Sequence, residues 1–308
     1  MKIIEPFFQI QDELDNSSVA VRLEACGRVC YKSEDKITDD SAIPFVTKIA
    51  THGHNSVLEM AVLSFRVLCS PHQVQELLNH QPKFFIIDRI PDGLLITASI
   101  RSLREFAHLY PENQLLNDVI LELIESNTQF FGKIFDSRKS LARDTNISIT
   151  KMSLSKIDEL PAELRLRHRF VSVRFIVNRA VTHELVRHRL CSFLQESQRY
   201  CRYSEDKFDN QVTFIKPMFF KEESKEYQLW KEAMQQTEAT YFKLLETASP
   251  QAARTVLPNS CKTEIIVFCN LIEWRHIFTL RTSPAAEPSM LEIMIPLQKE
   301  MQERYTIG

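Results

Sequence analysis

The sequence predicts an α/β fold, a mixed sheet with flanking helices. Three observations carry this. Apolar, β-branched runs such as AVLSFRV (61–67), RFVSVRFIV (169–177) and TEIIVFCN (263–270) read as strands. Stretches with apolar residues at helical spacing lie between them, the longest being KEESKEYQLWKEAMQQTEATYFKLLETA (221–248). No array of 20- to 50-residue repeats and no low-complexity segment interrupts the pattern.

The elements follow in order. SSVAVRLEACGRVCY (17–31) has a serine start and helical periodicity. A second helix spans 41–51 and stops at the His52-Gly53-His54 break. AVLSFRV is a strand and SPHQVQELLN (70–79) a short helix. PKFFIIDRIPDGLLITASI (82–100) is two strands about a Pro-Asp-Gly turn. SIRSLREFAHLY (99–110) and ENQLLNDVILELIESNTQFFGKIF (112–135) are helices, while 134–165 reads as loop or marginal helix. RFVSVRFIVNRAV is a strand running into a helix. SFRV and SVRF are neighbouring strands or one strand site split by an insertion. SPQAARTVLP (249–258) has Ser249 as N-cap and Pro250 at the first helical position. Strand 263–270, helix LIEWRHIFTLRT (271–282) and a last helix, MLEIMIPLQKEMQERY (290–305), complete the chain.

Composition limits the function. The 308 residues support a sizeable core in one large domain or two smaller ones. A net charge of -2 gives no bulk attraction for nucleic acid or membrane. Seven cysteines, an odd number without a CxxC pair, argue against a zinc ribbon and a secreted disulfide framework. Neither a signal peptide nor a transmembrane stretch is evident, so a reduced, cytoplasmic protein is expected. Only 5 glycines occur, and neither GxGxxG nor GxxxxGK is present.

Three groups of residues carry chemistry. RHRLCSFLQESQRY (187–200) sets Arg187, His188, Arg189 and Arg199 around an apolar LCSF. A solvated helix face carries such charges too. Beside a partly buried turn, though, guanidinium groups need anions, and with His188 protonated four cations outnumber Glu184 and Glu196. Phosphate suits arginine forks. Arg254 in ARTVLP, with Arg275 and Arg281 in NLIEWRHIFTLR (270–281), reads either as snorkelling edges or as a set converging on a polyanionic aromatic ligand. HGHNSVLEM (52–60) offers Ser56 and Glu59 as a capping box at a helix N-terminus, which also suits phosphate. HELVRH is no zinc-protease motif. His183 and His188 are five apart, about 140° around a helix, and no metal is expected. The residues alone point to a nucleotide pocket held by arginines.

RHR followed by seven residues and Ser197, within RHRLCSFLQESQRY, resembles the defining motif of the flavin-dependent thymidylate synthases. RVCYKS (28–33), HGHNSVLEM, ARTVLP and NLIEWRHIFTLR resemble further family segments, in the family's order. The resemblance implies a family core over 1–68 and 168–308 and an inserted α+β subdomain over 69–167. It also implies reductive methylation of dUMP to dTMP. Methylenetetrahydrofolate would be the carbon donor, FAD the hydride carrier and NADPH the reductant, in a homotetramer with active sites between subunits. No cysteine nucleophile is implied, and neither nucleic acid nor membrane is a partner. A flavoprotein acting on another uracil nucleotide, or a nucleotide-binding relative without turnover, is the alternative.

By position, the resemblance assigns Arg187, His188, Arg189, Ser56, Asn270 and His276 to FAD, with Gln195 shared between FAD and substrate. His54 matches a histidine near the flavin ring. Glu184, Arg187, Glu196, Ser197, Arg199 and Arg254 fall at dUMP positions. Arg281 matches the arginine that favours ionisation of uracil N3. Arg281, His54 and Ser197 are the expected catalytic positions, Ser197 as an orienting group. The chain departs from the common pattern at Leu194, Gln195, Cys30, Ile272, Met60 and Glu184.

Overall fold

In the computed structural model, which describes residues 1–127 and 144–307, helix and sheet are mixed as expected. Two short strands the periodicity did not reveal open the chain, β1 (Lys2–Ile4) and β2 (Phe7–Ile10). Helix α1 (Val19–Val29) follows, then α2 (Ala42–His52), which ends on Gly53 in the left-handed region, φ 74°. Strand β3 (Val62–Leu68) leads into α3 (Pro71–Asn79). Ser70 and Gln73 form a reciprocal capping box there. The predicted hairpin is β4 (Phe85–Ile90) and β5 (Gly93–Ser99). Helices α4 (Ile100–Leu109) and α5 (Gln114–Asn127) come next. The part of the predicted helix beyond 127 lies outside the described residues.

The stretch expected to be loop or marginal helix is more ordered than its weak periodicity suggested. Its described part holds β6 (Ser148–Lys151), α6 (Leu154–Asp158) and α7 (Ala162–His168). Strand β6 is held by β3 through backbone pairing, a tertiary effect that local pattern does not carry. Then come β7 (Phe170–Asn178), α8 (Arg179–Leu185), β8 (Ser192–Gln195), β9 (Thr213–Ile215), α9 (Lys225–Leu245), α10 (Pro250–Ala253), β10 (Lys262–Asn270), α11 (Leu271–Arg281) and α12 (Pro288–Tyr305).

The chain forms two compact units. One comprises 1–11, 27–35 and 171–308; the other comprises 12–26 and 36–170. The first contains a four-stranded sheet in the order β2-β7-β10-β8, with β2–β7 and β10–β8 antiparallel, and a parallel β1–β9 pair. Its core includes Phe175, Ile266 and Trp274, whose indole N–H donates to the Val171 carbonyl at 3.1 Å. A cluster of Tyr203, Phe214, Tyr241 and Cys261 packs under α9.

The second unit holds the antiparallel sheet β4-β5-β3-β6. SFRV and SVRF are therefore neither neighbours nor one split site: β3 and β7 belong to different sheets. Phe65, Ile96, Leu103, Leu116 and Ile120 are buried in this unit. Buried His168 links the Asp88 carboxylate (2.9 Å) to the Thr97 hydroxyl (2.7 Å), which contacts Ser64 Oγ at 2.6 Å. Both hydroxyls are buried, so this chain satisfies polar groups within the sheet rather than meeting a substrate.

Candidate active site

The first unit contains most of the residues predicted for the site, on segments distant in sequence. Asn178 caps α8, its side chain accepting from Val181 N at 2.9 Å. The helix ends at Leu185, so Arg187, His188 and Arg189 occupy the turn leading to β8. His183 and His188 thus do not share a helix. Arg187 and Arg189 are exposed and have no ion-pair partner among the described residues. His188 turns inward and is 6% exposed.

Arg281, at the end of α11, closes over His188. Its Nε donates to His188 Nε2 at 3.1 Å, its Nη2 to the Glu184 carbonyl at 3.0 Å, and its Nη1 to the Glu184 carboxylate. Glu184 is therefore the counter-ion of Arg281. Burial, then Arg281, then His276, push His188 down to a pKa of about 4. His188 is neutral near pH 7, and the expectation of a fourth cation is corrected. Because Nε2 accepts from Arg281, the imidazole proton sits on Nδ1.

Ligand atoms of His188, Glu273 and His276 lie within 4.8 Å of one another. A metal there would need a lone pair that His188 gives to Arg281 on one side and covers with a proton on the other, so the donor chemistry does not favour one. His276 is exposed and stands edge-on to His188, with ring centroids 5.8 Å apart. Asn270 caps α11, accepting from Glu273 N at 2.9 Å. That structural task was not foreseen for a residue expected at the cofactor.

The turn after β8 meets RVCYKS. Ser197 N donates to the Cys30 carbonyl at 3.0 Å, and the Tyr31 and Tyr200 rings are 5.4 Å apart. Ser197 Oγ accepts from Arg199 N at 3.3 Å. Arg199 Nε donates to Gln251 at 3.2 Å, which joins this turn to α10. Arg254 follows α10 in a 3-10 turn and has no ion-pair partner among the described residues. Gln195 is engaged internally, donating to Thr182 (3.0 Å) and Thr263 (3.2 Å).

Glu196 turns its side chain inward. Its side chain, predicted at the substrate, is 1% exposed and is occupied by Lys262 Nζ (2.7 Å) and the Tyr203 hydroxyl (2.9 Å). Lys262 also binds Glu264 at 2.7 Å, and Glu264 receives Lys32 at 2.9 Å and Arg174. Burial pushes Glu264 up, but Lys262, Lys32 and Arg174 outweigh it and hold the pKa at about 2. Burial likewise opposes the Lys262 charge, and Glu196 and Glu264 prevail, leaving its pKa above the ordinary lysine value. The sequence reading missed this network. Its signal was there: Lys262 and Glu264, two apart, put two charges on one face of an otherwise apolar strand.

His54 and Ser56 belong to the second unit. The Ser56–Glu59 capping box does not form. Ser56 is helical (φ -60°, ψ -32°) rather than extended, so its hydroxyl caps nothing, and the segment is a single 3-10 turn, Val57–Glu59. Glu59 pairs with Arg101 at 2.5 Å instead. All seven cysteines are free, and burial pushes Cys26 to about 11 and Cys201 and Cys261 to about 12, which suits inert thiols rather than nucleophiles.

Residues 14–86 and 155–305 match the family described as thymidylate synthase complementing protein, well over half of the chain. The chain is 37% identical over 131 residues to the flavin-dependent thymidylate synthase of Pyrococcus furiosus, covering 42% of this chain and 53% of that protein. To that of Geobacter sulfurreducens it is 38% identical over 112 residues, 36% and 47% of the two chains. To that of Corynebacterium glutamicum it is 30% identical over 142 residues, 41% and 54%. The matches span about half the length of these relatives. With RHR, the Ser197 turn and Arg281 gathered in one unit, the chain belongs to the thymidylate synthase complementing protein family.

Proposed function

We propose that this protein methylates dUMP reductively to dTMP, taking the carbon from methylenetetrahydrofolate, with FAD as cofactor and NADPH as reductant. The observation that carries this is the set of arginines that the first unit holds together with the Ser197 turn. Arg187, Arg189 and Arg254 have no ion-pair partner among the described residues, while Arg281 is held in a fixed plane.

The residues fit an anionic dinucleotide and a nucleotide monophosphate. Arg187 and Arg189 supply unspent guanidinium donors for phosphates, and Arg199 and Arg254 do so for the dUMP phosphate. FAD, when bound, supplies the hydride. The protein's part is positioning and electrostatics. Glu184 and His188 engage three of the five N–H groups of Arg281. The other two point the cation at a uracil edge, where a developing anion at N3 is stabilised. Ser197 orients Arg199 through the backbone. No histidine or carboxylate among the described residues bonds its hydroxyl, so it is not the nucleophile. Glu196 positions the turn from within, and His54 and Ser56, of the second unit, are proposed FAD-binding residues.

A second reading follows from Ile272, an exposed apolar residue where an arginine is frequent in the resemblance. A weakened flavin site would leave a nucleotide-binding relative without turnover, or one acting on another uracil nucleotide. Further parts of the proposal are a homotetramer, cytoplasmic placement and an inserted subdomain over 69–167. The family match leaves 87–154 unmatched, in keeping with an insertion. No helix among the described residues is long and apolar enough to cross a membrane. Nucleic acid is not a proposed partner.

The test is dTMP formation by purified protein with dUMP, methylenetetrahydrofolate and NADPH, omitting each in turn. The proposal expects dTMP only in the complete mixture. Flavin-containing protein that binds dUMP yet forms no dTMP would favour the second reading.

A further inference from the structure

The second unit contains an open cavity of about 380 Å³ lined by Asn55, Arg101, Arg104, Glu105, His108 and Leu109. That volume is within the range of small-ligand pockets. Asn55 stands between His54 and Ser56. The other five come from α4, inside the stretch 87–154 that the family does not match.

Helix α4 is firmly seated. Ser99 caps it, accepting from Ser102 N at 3.1 Å, and Ile100 N donates to the Ala61 carbonyl at 3.1 Å. Leu103, Phe106 and Ala107 bury one side. Arg101, Arg104, Glu105 and His108 recur at helical spacing and share the other. Arg101 is neutralised by Glu59 (2.5 Å) and Glu105 (2.7 Å), and pins the helix to the VLEM turn.

Arg104 is different. It has no ion-pair partner among the described residues. Its Nη2 reaches the Ala50 carbonyl only at 3.5 Å, and its Nη1 is shielded from water without an acceptor. Burial lowers its pKa, yet a guanidinium keeps its charge near pH 7. A cation with a buried, unsatisfied N–H is costly unless something supplies the missing acceptor. His108, one turn on, is exposed, and the Asn55 amide makes no hydrogen bond among the described residues. Leu109, 66% exposed, and the arginine stems make an apolar wall.

We propose that this cavity binds a phosphate or carboxylate carried on an apolar body, with the Arg104 guanidinium rotating outward as the anchoring cation and Asn55 and His108 as flanking donors. The proposal rests on the activity proposed above for the choice of ligand. The flavin dinucleotide, NADPH and the folate glutamate all present such an anion. The unmatched segment would then be a ligand-binding part of the enzyme, sharing its cavity with Asn55, the residue between His54 and Ser56.

The experiment is equilibrium binding of FAD, NADPH, methylenetetrahydrofolate and, as a probe independent of the reaction, inorganic pyrophosphate. The proteins are full-length wild type, Arg104→Gln, Arg104→Lys and His108→Ala. Losing a charged hydrogen bond weakens binding ~10- to 100-fold. Arg104→Gln is expected to weaken one of the three ligands by that factor and to abolish one class of pyrophosphate site. Arg104→Lys should recover part of the affinity, and His108→Ala should lose a few-fold. The ligand that responds identifies the source of the anion. Affinities within twofold of wild type for all four probes, in variants with unchanged melting curves, would overturn the proposal. An Arg104-dependent pyrophosphate site in a protein that makes no dTMP would uphold the anion site and remove the proposed activity. A dTMP-forming protein indifferent to Arg104 would do the reverse.

Discussion

Replacing Lys262 by Met keeps the stem and removes the charge. Glu196, 1% exposed, would lose its 2.7 Å cation and keep only the Tyr203 hydroxyl at 2.9 Å. Glu264 would retain Lys32 at 2.9 Å and Arg174. The loss therefore falls on Glu196, and stranding one member of a buried ion pair costs ~3–5 kcal/mol. Protonating a stranded carboxylate would relieve the cost. The penalty then grows with pH and shrinks in acid. Urea unfolding of K262M is expected to show a loss of ~3 kcal/mol at pH 8 and clearly less at pH 5.5. The double variant K262M/E196Q should recover most of the loss, because no buried charge remains unpaired. Since Glu196 lies between Gln195 and Ser197, K262M should also raise the KM for dUMP more than it lowers kcat. A K262M protein within about 0.5 kcal/mol of wild type at pH 8, or a double variant no better than the single, would refute the reasoning.

Other consequences can be measured alongside. Glu264, held at about 2 against an ordinary 4.5, contributes stability that is present above about pH 4.5 and lost as pH falls toward 2. The size is on the order of 3 kcal/mol, and unfolding of Glu264→Gln across that window should be correspondingly flatter. His188, held at about 4 against 6.5, is neutral in the fold, so its contribution is present above about pH 6.5 and lost as pH falls toward 4. NMR titration of its imidazole checks this directly. Gly93→Ala should cost ~3 kcal/mol or more in thermal or urea unfolding, or leave the protein insoluble. A Cβ there would sit 2.0 Å from the Val67 carbonyl oxygen at a φ of +152°. Arg281→Lys loses the fork that spans Glu184 and His188, and turnover to dTMP should fall ~100-fold with the fold retained by circular dichroism.

What the sequence could convey depended on how local each signal was. The 21-residue α9, the Pro-Asp-Gly hairpin and the Ser249-Pro250 start of α10 are set by periodicity and turn chemistry within a few residues, and they stand as read. Strands β1 and β2 are three and four residues long and owe their form to partners more than 160 positions away, so no local pattern announced them. Ser56 and Glu59 had the right letters for a capping box and the wrong backbone. The arginines of the site were legible as charges beside apolar runs. Their pairing was not: Glu184 and Arg281 are 97 residues apart, and only the fold makes one the counter-ion of the other. The same holds for Glu196, whose neighbours in sequence point to substrate while its neighbours in space, Lys262 and Tyr203, take its carboxylate inward.

The most direct test of the account is an anaerobic single turnover followed by absorbance and by product analysis. Purified protein, reconstituted with FAD and reduced by NADPH, would be mixed with dUMP and methylenetetrahydrofolate. The account predicts that the flavin bands return in step with dTMP, one dTMP for each flavin reoxidised. Reoxidation without dTMP, or a protein that retains no flavin after reconstitution, would contradict it.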